Sequence, residues 1–233
     1  MKKVLITGGS RGIGAQCVKD FSALGYEVYF TYNKSEKKAN ELSAETNAVA
    51  IKCDISKSDE VKRIKEFGDF DILINNAGIS EIKMFQDITE SDWDRMFDVN
   101  IKGMFLVTKA VIDGMIRKKK GRIINISSMW GEVGASCEVH YSASKAAVIG
   151  FTKALAKEVA PSGITVNCVS PGVIMTEMNS HLSDEELKEL CEETPVMRIG
   201  TPEEVSKAVL YFADEKAGFV TGSVLSVNGG IIM

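Results

Sequence analysis

Short apolar runs alternate with longer segments of mixed polarity along most of the chain. The runs are rich in Val, Ile and Leu and lack the strict polar–apolar alternation of a strand with one face in water. Continuous apolar runs are typical of strands that are covered on both faces. They predict strands over residues 3–7, 27–32, 48–54, 71–78, 121–128, 164–172 and 222–230.

The segments between these strands have helical periodicity. They predict a first helix that ends at Gly25, and further helices over residues 36–46, 58–68, 90–119, 141–160, 183–193 and 202–214. The segment 90–119 is long enough for two helices that meet near Asn100. Strands that alternate with helices throughout predict an α/β fold, with a parallel sheet between two helical layers. A length of 233 residues without a linker or repeat suits a single domain over residues 1–233.

Composition narrows the classes of function. Hydrophobic residues make up 45% of the chain and the net charge is −4, so no basic surplus indicates nucleic acid or an anionic membrane as a partner. The cysteines lack C-x-x-C spacing, and only His140 and His181 accompany them, so we expect no metal site. The apolar run after the starting Met-Lys-Lys is too short for a signal peptide. We therefore expect a cytoplasmic protein with free thiols.

A glycine-rich loop, "TGGSRGIG" (7–14), joins the first strand to the first helix. Gly8, Gly12 and Gly14 have the spacing G-x-x-x-G-x-G, which differs from the G-x-G-x-x-G dinucleotide fingerprint. Glycines still let the backbone turn sharply and approach a pyrophosphate at a helix N-terminus. A plain turn would need only one glycine, so the loop favours nucleotide binding.

The stretch "HYSASKAAV" (140–148) places Tyr141 and Lys145 four residues apart, on one face of the predicted helix. An ammonium near a phenol favours the phenolate and lowers its pKa, which would make Tyr141 a better acid catalyst. The alternative is a surface pair worth a few tenths of a kcal/mol.

Further motifs follow in a fixed order, and together they resemble the short-chain dehydrogenase/reductase family. They are the glycine loop, "NNAG" (75–78), "VN" (99–100), Ser128 thirteen residues before Tyr141, Y-x-x-x-K, "SPG" (170–172) with Thr176, and "VTGSVLSVNGG" (220–230). The resemblance covers nearly the whole chain. It implies a Rossmann-type doubly wound parallel sheet of about seven strands, a nicotinamide cofactor and catalysis at a carbonyl or alcohol.

The resemblance also implies the catalytic residues. Tyr141 would be the acid and Lys145 its tuner and a partner of the nicotinamide ribose. Ser128 would orient the substrate carbonyl, and Asn100 would hold a water that relays protons to Lys145. For Asn100 a polar kink between two helices stays open as the alternative.

The cofactor contacts that the resemblance implies lie in six segments. They are Gly8, Ser10, Arg11, Gly12, Ile13 and Gly14; Asn33 and Lys34; Asp54 and Ile55; Asn76, Ala77 and Gly78; Tyr141 and Lys145; and Pro171, Gly172, Ile174 and Thr176. No metal site is implied.

The segment at the end of the second strand and just after it reads Thr-Tyr-Asn-Lys (31–34), without the acid that an NAD-preferring site usually carries there. Arg11 and Lys34 could both meet a 2′-phosphate, so we expect NADPH. Lys34 is otherwise a solvated loop charge. Asp54 is expected to hydrogen-bond the adenine.

The overall pattern is most similar to bacterial 3-oxoacyl-acyl-carrier-protein reductases, through "GRIINISS", "GFTKALAKEVAPSGITVNCVSPG" and "VTGSVLSVNGG". This implies NADPH-dependent reduction of a 3-oxoacyl thioester in fatty acid synthesis. Two segments depart from that group: "EIKMFQD" after "NNAGIS" where an Arg-Asp pair is common, and Ser162 where a basic residue is common. A reductase or dehydrogenase acting on a soluble ketone or secondary alcohol is therefore the alternative. A non-catalytic protein is disfavoured, because all four catalytic positions are kept.

Three further expectations concern surfaces. A basic run, Arg117 to Lys120 with Arg122, would lie beside the active-site mouth and dock an acidic carrier protein, or else would be the cationic end of a helix. Residues 176–195 would form a mobile lid over the substrate. Met175, just before it, and Met178 and Leu182 within it would line an acyl pocket, or else would pack as in any helix. The apolar residues of the 101–119 helix spread wider than one buried stripe, which with the family resemblance predicts a homotetramer.

Overall fold

In the computed structural model of this protein, residues 1–177 and 183–233 are described. They form one sheet of seven parallel strands in the order 3-2-1-4-5-6-7. The strands are β1 (Lys3–Ile6), β2 (Glu27–Tyr32), β3 (Val49–Lys52), β4 (Ile72–Asn75), β5 (Gly121–Ile126), β6 (Ile164–Pro171) and β7 (Val224–Val227). The predicted fold class, a doubly wound parallel α/β sheet, is confirmed.

The strand order reverses between β1 and β4, which are neighbours in the sheet. The chain turns to one side after β1 and to the other after β4. A crevice therefore opens at the carboxyl ends of these two strands, where doubly wound folds bind their ligands.

Helices cover both faces of the sheet. They are α1 (Gly12–Ala23), α2 (Glu36–Thr46), α3 (Ser58–Lys62), α4 (Glu90–Phe97), α5 (Met104–Lys118), α6 (Trp130–Val133), α7 (Val139–Val159), α8 (Asp184–Glu193) and α9 (Pro202–Ala213). Phe21 of α1 and Phe212 of α9 are buried in one core cluster, and Val107 and Met115 of α5 in a second. The two clusters lie on opposite faces because successive strand residues point to opposite sides, as Leu5 lies in the second cluster and its neighbours in the first.

The observed strands are mostly shorter than the predicted ones at their carboxyl ends. The segment predicted as a strand over 71–78 pairs only over Ile72–Asn75, and β5 ends at Ile126 rather than at 128. The remaining residues leave the sheet and line the crevice, so they are polar or small for reasons unrelated to strand pairing. The short helix α6 was not predicted.

The long segment 90–119 divides near Asn100, as predicted. Between α4 and α5 the residues Asp98–Gly103 form a π-helical turn. Such turns are rare and often occur at functional sites, because the wider turn re-aims one side chain. Here the side chain is that of Asn100, which is buried.

Candidate active site

A cleft of about 1190 Å³ lies at the carboxyl edge of the sheet. Eighteen of the nineteen residues predicted to contact the cofactor line it, together with Ser128. The exception is Gly14, which lies behind the loop. The sequence motifs, although far apart along the chain, therefore meet at one site.

The glycine loop is shaped for a bulky anion at the N-terminus of α1. Gly8 and Gly12 have φ angles of 65° and 55°, the left-handed region that favours glycine. A Cβ on Gly14 would lie 2.3 Å from the carbonyl oxygen of Gly8, so only glycine allows this close approach. Bare backbone that faces the cleft and leads into a helix fits the pyrophosphate of a dinucleotide.

The "NNAG" segment braces this loop. The Asn76 side chain donates to the carbonyl oxygens of Thr7 and Gly8, at 3.0 and 3.1 Å. The preceding Asn75 is buried and donates to Asn125 on β5 at 2.8 Å, and Asn125 donates to Thr152 on α7 at 2.9 Å. These amides tie β4, β5 and α7 together beneath the cleft. Sequence reasoning assigned Asn76 to the cofactor but missed this buried chain of amides, which gives no signal at the level of one motif.

Tyr141 and Lys145 lie in the first turns of α7, and both are buried while still lining the cleft. The Lys145 Nζ donates to the carbonyl oxygen of Ile126 at 3.0 Å and lies 5.7 Å from the centroid of the Tyr141 ring. Ser128 follows β5, and its Oγ accepts a hydrogen bond from the backbone N–H of Trp130 at 3.2 Å. The pair is thus not a solvated surface pair: its members face the cleft from a packed helix.

The titration of these two residues is governed by burial. Burial raises the pKa of Tyr141 to about 12, and the neighbouring Ser128 hydroxyl opposes that rise. Burial lowers the pKa of Lys145 to about 8, because a charged ammonium loses its hydration there. The expected lowering of the Tyr141 pKa by Lys145 is not seen in the protein alone, because burial dominates and the Ser128 hydroxyl is the group that opposes it.

The side chain of Asn100, carried by the π-helical turn, makes three hydrogen bonds to residues outside that turn. Its Oδ1 accepts from the backbone N–H of Ile79 at 2.9 Å, and its Nδ2 donates to the Ile79 carbonyl oxygen and to Ser144 Oγ, each at 3.0 Å. A Cβ on Gly78 would lie 3.2 Å from Asn100 Oδ1 and 3.4 Å from Lys145 Nζ. The amide and the ammonium therefore share the space beside Gly78. Asn100 is more than a polar kink, because it joins the segment after β4 to α7.

The adenosine end of the cleft is basic. Between Thr31 and Ser35 the segment that lines the cleft carries no carboxylate, and Arg11 and Lys34 line the same region. Lys34 makes no ion pair with any residue in the described part of the chain. Sequence reasoning missed Glu177, which also lines the cleft here. Glu177 pairs with both Arg11 and Lys38. Nothing in the lysine-rich run 34–38 indicates that Lys38 forms an ion pair with a residue so far along the chain.

The basic run, Arg117 to Lys120 with Arg122, does not lie beside the active-site mouth of its own subunit, so its predicted position is wrong. The run spans the end of α5 and the start of β5, at the amino edge of the sheet, whereas Ser128 lies beyond the carboxyl end of β5. A six-residue strand separates the two by roughly 20 Å. Arg117 pairs with Asp69 at 2.9 Å, Lys118 with Asp71 at 3.1 Å and Lys120 with Glu215 at 2.7 Å. The error arose because sequence adjacency to Ser128 does not reveal which end of the strand a residue occupies.

Other side chains that were singled out lie near the cleft but not in it. His140 is buried and does not line the cleft, and its Nε2 lies 4.0 Å from Glu81. Met175 is exposed at the mouth, whereas Met178 and Leu182 lie outside the described residues.

Residues 1–177 and 183–233 hold no cluster of three His, Cys, Asp or Glu side chains suited to a metal ion. None of the helices in those ranges is long and apolar enough to cross a membrane.

Comparison with known proteins agrees with this geometry. A family model described as enoyl-(acyl carrier protein) reductase matches residues 8–232. The chain is 38% identical over 242 residues to the 3-oxoacyl-acyl-carrier-protein reductase FabG of Staphylococcus epidermidis, covering 100% of this chain and 99% of that protein. The chain belongs to the short-chain dehydrogenase/reductase family. As a member of that family it is an oxidoreductase that acts on a CH–OH or C=O group with a nicotinamide cofactor.

Two further relatives of this short-chain dehydrogenase/reductase are a reductase named for a coenzyme A substrate and a protein of known crystal structure. An acetoacetyl-CoA reductase of Shinella zoogloeoides is 41% identical over 232 residues, which is 97% of this chain and 96% of that protein. The crystal structure of a 3-oxoacyl-acyl-carrier-protein reductase from Brucella melitensis superposes with a TM-score of 0.95 at 35% identity, over 100% of this chain and 91% of that one. The likeness therefore extends through the whole described fold.

Proposed function

We propose that this protein reduces a 3-oxoacyl thioester, carried on acyl carrier protein, to the 3-hydroxyacyl form with NADPH. The observation that carries the proposal is the convergence of Ser128, Tyr141 and Lys145 on the cleft that the glycine loop enters. Those side chains suit a ketone rather than an isolated alkene, because an acid and a hydroxyl are aimed where charge develops on oxygen.

The roles of the side chains follow from their chemistry. When bound, the reduced nicotinamide supplies the hydride that goes to the carbonyl carbon. Ser128 donates a hydrogen bond to the carbonyl oxygen, and Tyr141 gives its phenolic proton to that oxygen as the carbonyl group is reduced to an alcohol. Lys145, with a pKa lowered to about 8, can return a proton towards Tyr141. Asn100 would hold the water through which Lys145 is reprotonated from solvent.

The same cleft supports the predicted cofactor contacts. The glycine loop would hold the pyrophosphate, and Asp54 and Ile55 would lie beside the adenine, since both line that end of the cleft. The adenine ribose would lie beside Asn76, Ala77 and Gly78, which also line the cleft. Pro171, Gly172, Ile174 and Thr176 line the opposite wall and would hold the nicotinamide.

NADPH rather than NADH is favoured by charge. Arg11 and Lys34 flank the segment after β2, and no carboxylate stands there to accept from a ribose 2′-hydroxyl. A 2′-phosphate would bind to two cations, Arg11 and Lys34, whereas the 2′-hydroxyl of NADH carries no charge that could pair with either of them.

Substrate panels test the proposal directly. We expect turnover of acetoacetyl-CoA, and faster turnover of an acetoacetyl-acyl carrier protein, with a higher kcat/KM for NADPH than for NADH. No activity on either thioester, in a protein shown to bind NADPH, would contradict the proposed substrate and favour a soluble ketone. Consumption of crotonyl-CoA in place of the 3-oxo thioesters would instead favour the enoyl reductase that the family model names.

We further propose one domain over residues 1–233 and a cytoplasmic homotetramer. All five cysteines are free, as in proteins of a reducing compartment. Phe105 and Ile116 expose 44% and 42% of their surface on α5, where a partner would cover them. The relatives named for acyl-carrier-protein substrates support an acidic carrier protein as a transient partner.

A further inference from the structure

A carboxylate occupies the basic end of the cleft. Glu177 lies at the mouth, immediately after Thr176, and lines the cleft together with Arg11. Its Oε1 accepts a hydrogen bond from Lys38 Nζ, and its Oε2 lies 3.9 Å from an Arg11 guanidinium nitrogen. One acid therefore bridges a cation of the glycine loop and a cation of α2.

These two cations come from the two segments that surround a cofactor's adenosine ribose in this fold. Arg11 precedes α1, and Lys38 lies in the first turn of α2, whose preceding residues 31–35 line the cleft. Lys34, which also lines this region, has no ion-pair partner in ranges 1–177 and 183–233. Three cations are thus contributed by these two segments, and the carboxylate of Glu177 bridges two of them.

We propose that Glu177 is a built-in competitor of the cofactor's 2′-phosphate, and that Lys38 is a third cation for that phosphate. The proposal rests on the proposed function only through the preference for a 2′-phosphorylated cofactor. A phosphate monoester carries more charge than a carboxylate and three acceptor oxygens, so it can replace Glu177 on both cations at once. A cofactor with a bare 2′-hydroxyl has no charge to exchange, and it leaves Glu177 in place.

The exposure of the three side chains makes such an exchange feasible. Arg11, Lys38 and Glu177 expose 59%, 49% and 48% of their side chains. Ion pairs in water are weak, so the carboxylate can be displaced without a large loss. Glu177 then lowers affinity for the phosphorylated cofactor moderately, and its contribution to selectivity depends on ionic strength.

Binding of two nucleotide fragments tests this without any turnover. Isothermal titration calorimetry would measure adenosine 2′,5′-bisphosphate and ADP against the wild-type protein and Glu177→Gln, which removes the charge but keeps the shape. We expect Glu177→Gln to bind the 2′,5′-bisphosphate about 3- to 10-fold more tightly, with less than about a twofold change for ADP. The gain should shrink at about 0.5 M salt. Equal changes for both fragments, or no change, would overturn the competitor role.

Glu90→Gln is the matched control, because Glu90 lines the same cleft from α4 at the far side and carries the same charge. It should leave both dissociation constants within about twofold, since the effect requires contact with Arg11 and Lys38. A gain equal to that of Glu177→Gln would show a general effect of net charge and would overturn the proposal.

Lys38→Gln gives the reciprocal test. We expect it to weaken the 2′,5′-bisphosphate several-fold while ADP changes little, and to reduce the gain that Glu177→Gln produces in the double variant. An unchanged dissociation constant for the bisphosphate would remove Lys38 from the site. Failure of the cofactor assignment looks different: the wild-type protein would then bind ADP as tightly as the 2′,5′-bisphosphate.

Discussion

Tyr141 and Lys145 are buried ionisable groups, and the cost of burial governs both of them. Each pKa moves towards the neutral form, upwards for the phenol and downwards for the ammonium. A neutral phenol is the form that donates a proton to a carbonyl oxygen. The site thus keeps Tyr141 protonated at neutral pH, and Lys145 is close to titrating.

Replacing Tyr141 by Phe tests the acid at this scale. We expect kcat for acetoacetyl-CoA to fall by about 10²- to 10⁴-fold, because a positioned general acid contributes that much. NADPH binding, followed by its fluorescence, should stay within a few-fold of wild type. Tyr211→Phe is the control, since Tyr211 is exposed on α9 and should leave kcat unchanged. Unchanged turnover in Tyr141→Phe would contradict the catalytic scheme.

Lys145 predicts a specific dependence of stability on pH. Between about 8, its pKa in the folded chain, and its ordinary 10.5, the unfolded chain holds a proton that the folded chain lacks. The contribution of Lys145 to the free energy of unfolding therefore rises with pH through this window, and below about 8 the cost of burying the charge is fully present. Relative to Lys145→Met, the wild-type protein should gain up to about 3 kcal/mol from pH 7 to pH 10.5.

Urea unfolding of the wild-type protein and Lys145→Met at several pH values measures this difference in the free energy of unfolding. The contributions of the other titrating groups are common to both proteins and cancel in the difference. Lys153→Met is the control, because Lys153 is exposed on the same helix and should give a difference that does not vary with pH. Parallel stability curves for wild type and Lys145→Met would contradict the depressed pKa.

At the scale of elements, the turn from β1 to α1 depends on its contact with the segment after β4. Gly14 lies against the carbonyl oxygen of Gly8, and Asn76 donates to that same oxygen. The glycine spacing predicted a turn open to phosphate, but Gly14 itself acts from behind, by allowing α1 to approach the loop. Within the glycine loop, Gly8 and Gly12 therefore line the cleft, whereas Gly14 allows the loop and α1 to pack closely.

Gly14→Ala is expected to destabilise the protein by about 2 kcal/mol or more, because its Cβ would meet backbone that cannot move aside. Gly25→Ala is the comparison. Gly25 has a φ of 80° but nothing within 4 Å of its Cβ position, so only the backbone strain of about 1 kcal/mol applies. Urea unfolding separates the two costs. A smaller loss in Gly14→Ala than in Gly25→Ala would contradict the close packing of loop and helix.

At the scale of the molecule, the exposed part of α5 is the surface to test for assembly. Phe105 and Ile116 are exposed, whereas other apolar residues of that helix, Met104, Val107, Val111 and Met115, are buried in two core clusters. An apolar stripe that continues from the core to the outside of a helix is typical of an interface between subunits.

We expect Phe105→Asp to reduce the mass measured by light scattering from a tetramer to a dimer or monomer, because a buried charge without a partner opposes association. Leu24→Asp introduces the same charge at a residue exposed at the end of α1, and it should leave the mass unchanged. A wild-type monomer would refute the assembly itself. A tetramer that persists in Phe105→Asp would exclude this face of α5.

The sequence alone determined the alternation of strands and helices, the parallel sheet, and many of the residues that line the cleft. It could do so because burial on both faces leaves continuous apolar runs, and because glycine spacing and Tyr-x-x-x-Lys record local geometry. The ends of strands were less predictable. The residues after β4 and β5 continue the strand pattern in the sequence, but in the structure they leave the sheet and line the cleft.

Only the tertiary structure decided how distant segments meet. It placed the basic run at the amino edge of the sheet, far from Ser128, and it brought Glu177 onto Arg11 and Lys38. It also showed that burial, rather than Lys145, dominates the pKa of Tyr141. The physical reason is common to all three: hydration, charge pairing and the end of a strand that a residue occupies depend on contacts across the sheet, which periodicity along the chain does not record.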